Sequence, residues 1–317
     1  MNRNITPTVE GGLLTAISVI LGLAATFLPV VGSFVEFFCA VPFVVLTVRR
    51  GAKIGMTALI VSFILLSMFI TPIGAARLAL TMSLSGLVLG YCLNQELGAV
   101  KSFIATLIAS FTTQIIFVMI LATIMGINFA DMELTTLKES FEESFRLYES
   151  IGVDAVTLGE IKQQSIKIVE LVSYLIPLIL FLLSLVNAAA SYVLSKWIFA
   201  KLKLKFAEPM PPFIEWRFPS AFAYLTAFAM IGLYWGATRD WNLLYTAAVN
   251  ALFMLMGLGL VEGFSILSFI AERYNMPKFW RRIVFLFIIF NSLITQLLAF
   301  VGIFDMLFDY RKRFLKS

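Results

Sequence analysis

The sequence predicts an all-α, polytopic transmembrane helical bundle of about nine spans. Two observations carry that prediction. Of 317 residues, 60% are hydrophobic and only 14% are charged, whereas a water-soluble domain carries about 25% charge. Apolar runs of roughly 18 residues or more also recur along nearly the whole chain, and a helix needs about 20 to cross the hydrocarbon core. Backbone N–H and C=O groups in lipid must be paired internally, so runs of this length must be helical. The short alternating pattern of a membrane β-barrel is absent. A mean hydropathy of +0.94 and 31 Phe suit a surface that faces lipid.

The elements follow in order. The first apolar run, about 12–29, lacks a small-residue cleavage site and is followed almost at once by another. It reads as a retained span, not a secretory leader. Span 2, about 34–48, is short and contains Pro42. Spans 3, 4 and 5 cover about 54–70, 75–93 and 100–125. A polar insert over 129–165 precedes span 6, at about 168–194. Spans 7 and 8 lie at about 221–237 and 243–271, and a last apolar stretch runs over 283–308. The chain thus divides into a six-span module over 1–200, a linker over 201–219 and a C-terminal module of about three spans over 220–317.

Lysine and arginine set the expected orientation. Arg49, Arg50 and Lys53 follow span 2. Lys196, Lys201, Lys203, Lys205 and Arg217 follow span 6. Arg273, Lys278, Arg281 and Arg282 follow span 8. All three groups share one face if the N-terminus is cytoplasmic. The basic tail from Asp309 conflicts with a single last span, which would put it outside. A hairpin broken near 299–302, a break in span 8 near 257–259, or a failure of the charge rule would each remove the conflict. A single long last helix is the reading adopted, with the side of the tail left open.

The insert would face outside. Thr136 with Glu139, and Thr157 with Glu160, have capping-box spacing. Leu134, Leu137, Phe141, Phe145 and Tyr148 recur at helical spacing, so the first part is expected to be an amphipathic helix that Gly152 interrupts. An interfacial helix with a solvated face is the plainer expectation, and a gate over an external site the sharper one. The linker holds four prolines, which exclude a continuous helix. Its basic and aromatic residues suit the cytoplasmic headgroup layer, with Trp216 as an anchor or partner contact.

A charge at the bilayer centre costs roughly 2.5–3.5 kcal/mol on insertion scales. Arg77 and Glu36 both fall near the external ends of their spans. They either pair or snorkel, or they touch a ligand. Glu262 is expected to pair with Arg273 or another basic residue, or to mark a partner contact. Asn187, Asn250, Asn291 and Gln296 read as interhelical hydrogen-bonding amides. Gln114 and Tyr174 are candidates for ligand contact, because their spans flank the insert. Gly12 with Ala16, and Gly86 with Gly90, are small-residue pairs that permit close helix contact.

Several functions have no residues to carry them. No His is present, which removes the commonest proton shuttle and metal ligand. Cys39 and Cys92 sit in apolar runs without a CxxC, so neither a metal nor a disulfide is expected. No G-x-S-x-G, H-E-x-x-H or P-loop is present. No catalytic role, cofactor or nucleic-acid partner is therefore expected; the lipid bilayer is the expected surrounding.

Two resemblances add to this reading. The segment from Phe213 to Pro219 and the ending from Gly302 to Arg313 resemble the YybS-like family, bacterial membrane proteins of unknown function. Residues 11–95 are similar to the substrate-binding (S) component of energy-coupling factor transporters. That likeness rests on Thr15 and Ala16, the run from Pro29 to Gly32, Pro42, and the run from Gly51 to Gly55. It implies a bacterial plasma-membrane protein that binds a small molecule on the external side. Glu36, Arg77, Gln114 and Tyr174 would then lie near the pocket. Gly12 and Ala16 would contact a transmembrane coupling subunit that works with ATPases. The usual pair on span 1 is Ala-x-x-x-Ala, and here the first residue is Gly. The C-terminal spans have no counterpart in that family. The other expectation is a membrane scaffold or regulatory partner of another membrane protein.

Overall fold

A computed structural model describes residues 7–125, 129–150, 155–206 and 210–312. The described residues form helices α1 (Pro7–Phe27), α2 (Val31–Glu36), α3 (Val41–Arg50), α4 (Ala52–Phe69), α5 (Pro72–Arg77), α6 (Leu84–Asn94) and α7 (Ala99–Met125). These are followed by α8 (Phe129–Ser150), α9 (Ala155–Leu202), α10 (Ala221–Thr238), α11 (Asn242–Arg273), α12 (Lys278–Phe290) and α13 (Ser292–Phe308). No strand occurs among the described residues. Eight segments are long and apolar enough to cross a membrane, and α12 with α13 makes a ninth, bent candidate. The chain is thus a multi-pass membrane protein with an all-α fold.

The helices divide into two compact units, residues 1–165 with 179–210, and residues 166–178 with 211–317. The division falls inside the expected linker, and it assigns a short stretch of α9 to the second unit.

In the first unit, α2, a 3₁₀ turn (Phe37–Ala40) and α3 together make one span, Val31–Arg50. Pro42 lies in the first turn of α3, where a missing N–H costs little. α5, a π-turn (Leu78–Ser83) and α6 make the next span, Pro72–Asn94. Gly86 and Gly90 are spent inside this unit: a Cβ on either would run into the backbone of Ala40 or Val44. Gly12 differs. A Cβ there meets nothing, and Gly12 and Ala16 both lie on the exposed face of α1. Glu10, buried at the start of α1, takes both Arg49 (2.9 Å) and Arg50 (2.5 Å) from the end of α3. Those two arginines therefore do more than mark a membrane face.

The insert forms α8 and the first turns of α9. Thr136 and Thr157 lie inside these helices, not at their caps, and Gly152 lies outside the described residues. Lys162 reaches Glu149 at 3.4 Å and stands 5.5 Å over the ring of buried Phe145.

In the second unit, α9 carries Pro177 within its length. Leu178 donates its N–H to Asn250 Oδ1 (2.8 Å), and Asn250 Nδ2 donates to the Tyr174 carbonyl (2.6 Å). Pro177 lacks the N–H for its own i→i−4 bond, and Asn250 of α11 holds the two groups of the adjacent pair, the Leu178 N–H and the Tyr174 carbonyl.

The last apolar stretch is not one long helix. It breaks at Asn291 with a bend of 106°. Asn291 leaves helical geometry (φ −112°, ψ 104°), and its Oδ1 accepts the Ile294 N–H at 3.1 Å. Thr295 Oγ1 donates back to the Ile288 carbonyl at 2.6 Å. A side-chain cap thus starts a second helix where hydropathy alone sees one run. α11 passes unbroken through Gly257–Gly259. Its Gly259 and Gly263 instead let α13 approach at Gly302, where a Cβ would collide with the Gly259 carbonyl.

Candidate functional site

Arg77 ends α5 and Glu36 ends α2, each a few residues in from its turn. They pair at 2.5 Å, with Arg77 43% and Glu36 14% exposed. The pair borders a cavity of about 360 Å³. Aromatic and branched side chains form its walls, among them Phe34, Phe37, Phe117 and Leu183. Gln114 of α7 and Asn187 of α9 supply amides. A largely apolar space of this size with a few convergent polar groups is what small-molecule sites look like.

Asn187 is the most constrained member. It is 3% exposed, and its Nδ2 donates to the Thr81 carbonyl (2.5 Å) and Ser110 Oγ (2.9 Å), with Ser85 Oγ at 3.5 Å. A carbonyl oxygen can only accept, so the amide nitrogen must face Thr81. Its Oδ1 is then buried with no partner among the described residues. Thr81 itself lies in the π-turn that follows Arg77, a local irregularity frequent at functional sites.

Three of the four expected ligand residues, Glu36, Arg77 and Gln114, come together on this cavity. Tyr174 does not line it. Its ring meets Tyr245 edge-on at 5.2 Å, and its carbonyl is held by Asn250. Asn187 was read from sequence only as an interhelical amide, and nothing in the sequence marks the π-turn that orients it. No described residue of α8 or the start of α9 lines the cavity.

The expected partner contacts are distributed differently. Gly12 and Ala16 are exposed on α1. Trp216 is partly buried, with its Nε1 donating to the Pro211 carbonyl at 2.9 Å. Glu262 is only 1% exposed and pairs with Arg311 at 3.0 Å, not with Arg273, so it offers no surface to a partner. Arg311 and Asp305, its buried neighbours, were not legible as a site: Arg311 looked like one of several tail charges. No group of three or more His, Cys, Asp or Glu able to hold a metal occurs among the described residues.

Comparison with known proteins gives a consistent picture. The uncharacterized protein YybS of Bacillus subtilis (strain 168) is 22% identical over 313 residues, covering 96% of this chain and 97% of its own. No solved structure matches the chain. The family model described as "Predicted membrane protein (DUF2232)" matches residues 16–306, and the chain belongs to that family.

Proposed function

We propose that this chain is a plasma-membrane protein, N-terminus in the cytoplasm, that binds a small molecule in the Glu36–Arg77–Gln114–Asn187 cavity. The observation that carries the reading is the cavity itself, about 360 Å³ and largely apolar, with the Glu36–Arg77 pair at its border and the amide residues Gln114 and Asn187 in its lining. The Glu36–Arg77 pair adds one acidic and one basic group at the rim, so a ligand with a charged or zwitterionic end suits it. The likeness to transporter S components fits such a role, and uptake with a coupling subunit and ATPases would be its extension. No catalytic step is assigned to the site.

The orientation rests on charge. Of 24 Lys and Arg, all but Arg77, Lys138, Arg146, Lys162, Lys167 and Arg239 then fall on the cytoplasmic side. A tail on that same side suits the bend of 106° at Asn291 and the pairing of Asp309 with Arg217 of the linker.

The test is a thermal-shift panel of small organic compounds on the purified full chain. A ligand at about 100 times its dissociation constant adds about 2.7 kcal/mol of stability. One chemical class should raise the melting temperature saturably, and Arg77→Ala or Gln114→Ala should abolish the shift. No shift with any class would overturn the reading.

A second reading, a scaffold that docks another membrane protein, is favoured by Gly12 and Ala16, both exposed on α1, with open space where a Cβ of residue 12 would sit. Crosslinking from Ala16→Cys separates the two. Recovery of a coupling subunit supports uptake, and recovery of an unrelated membrane enzyme supports a scaffold.

A further inference from the structure

The second unit buries an ionic cluster that the cavity does not use. Glu262 of α11 (1% exposed), Asp305 of α13 (4%) and Arg311 just beyond it (2%) meet in one place. Arg311 Nη2 donates to Glu262 Oε1 (3.0 Å) and to Ser265 Oγ (3.1 Å). The same guanidinium donates to the backbone of the Pro-rich segment, from Nη1 to the Ile214 carbonyl (2.6 Å) and from Nη2 to the Trp216 carbonyl (3.0 Å). Glu262 Oε2 accepts the Phe218 N–H at 2.9 Å, and Asp305 Oδ1 accepts the Tyr310 N–H at 2.6 Å. One guanidinium and one carboxylate thus clasp the segment from both polarities.

The charges do not balance. Two carboxylic acids face a single guanidinium, Glu262 Oε1 at 3.0 Å from Nη2 and Asp305 Oδ2 at 3.4 Å from Nε. Glu262 is eleven residues from the end of α11, about 16 Å along the axis. Of the other nearby ions, Arg217 and Lys312 share the one carboxylate of Asp309, at 3.1 Å and 2.6 Å, so the surplus positive charge lies in an outer, exposed layer. Arg217 and Lys312 are well exposed, so solvent screens them from the inner cluster. An uncompensated negative charge in so dry a place is costly, and the pair sheds that cost by keeping one proton. The guanidinium geometry agrees. Arg311 Nε lies 3.4 Å from Asp305 Oδ2 but makes no hydrogen bond, although it is fully buried. Asp305 is thus not fully committed to the arginine.

The geometry points to Glu262 and Asp305 as a proton-binding site, one proton shared between two carboxyls, which sets the hold of Arg311 and Glu262 on the Pro-rich segment. Loss of the proton leaves a surplus negative charge between α11 and the end of α13, and favours entry of water and release of residues 211–218. The proton leaves toward the tail, where the outer layer meets solvent. This inference is independent of the cavity.

Infrared spectroscopy of the full chain in lipid tests it. The wild-type protein should show the carbonyl stretch of a buried protonated carboxyl that shifts in D₂O. That band should vanish in both Glu262→Gln and Asp305→Asn, because either change leaves one carboxylate matched to one guanidinium. Asp305→Asn, whose amide oxygen can still take the Tyr310 N–H, should keep a near-wild-type melting temperature, whereas Arg311→Gln should lower it, as should Glu262→Gln, which turns an NH2 toward either Arg311 or the Phe218 N–H. Absence of the band in wild type, or its survival in both amide variants, overturns the proposal. So does an Asp305→Asn variant that loses as much stability as Arg311→Gln.

Discussion

Asn187 shows what one residue can carry. Its nitrogen is fixed by Thr81 and Ser110, and its oxygen is buried with no partner among the described residues. Replacing it with Leu removes the fixed contacts and the free acceptor together. The expected cost is about 1–3 kcal/mol from the stranded Thr81 carbonyl, measured by thermal unfolding, along with loss of any ligand-induced shift. A residue outside the spans gives a pH prediction. Burial raises the Asp309 carboxyl, but hydrogen bonds from Lys312 and the charge of Arg217 outweigh it and hold the group below the usual carboxylate range. Its contribution is therefore present above the unfolded carboxylate range and lost as pH falls through the lowered folded value. Asp309→Asn tolerates the left-handed backbone there (φ 46°). It should remove the acid-dependent exposure of Lys312 to amine labelling. At this scale the sequence was partly legible. Glu36, Arg77 and Gln114 stood out because charges and amides are rare in apolar runs. Asp305 and Arg311 did not, since each sits at the edge of a run where charge is ordinary.

Helices were legible as lengths and not as joints. Pro177 is visible in the sequence, but the repair by Asn250 depends on a neighbour far away in the chain. Asn250→Leu should cost about 1–2 kcal/mol by stranding the Tyr174 carbonyl and the Leu178 N–H. In a Pro177→Ala background that cost should shrink, because the helix can close its own bond; a double-mutant cycle by thermal unfolding reads the difference. The break at Asn291 was likewise missed, because Asn-Ser in an apolar run gives hydropathy no reason to stop. The glycines misled in the opposite sense. Gly259 and Gly302 looked like hinges, and instead they are the place where α11 and α13 touch. Gly302→Val should destabilise by about 3 kcal/mol or more through overpacking, while Gly257→Ala, with open space at its Cβ, should be nearly neutral.

For the molecule as a whole, composition was sufficient to establish a multi-pass helical membrane protein, since only helices hide their backbone along runs this apolar. It could not settle the side of the tail. Within the second unit the pairs Arg217–Asp309 and Arg311–Trp216 tie the tail to the segment before α10. Single cysteines at Pro211 and Lys312 should therefore label from the same side of sealed vesicles, and one at Asp240, beyond the other end of α10, from the opposite side. Ligand binding is the claim that gives the fold a purpose. Native mass spectrometry of the full chain, extracted gently from its own membrane, tests it most directly. The expected spectrum shows a small molecule bound one to one, absent from Arg77→Ala and Gln114→Ala. A wild-type spectrum of bare protein with lipid and detergent alone would contradict it.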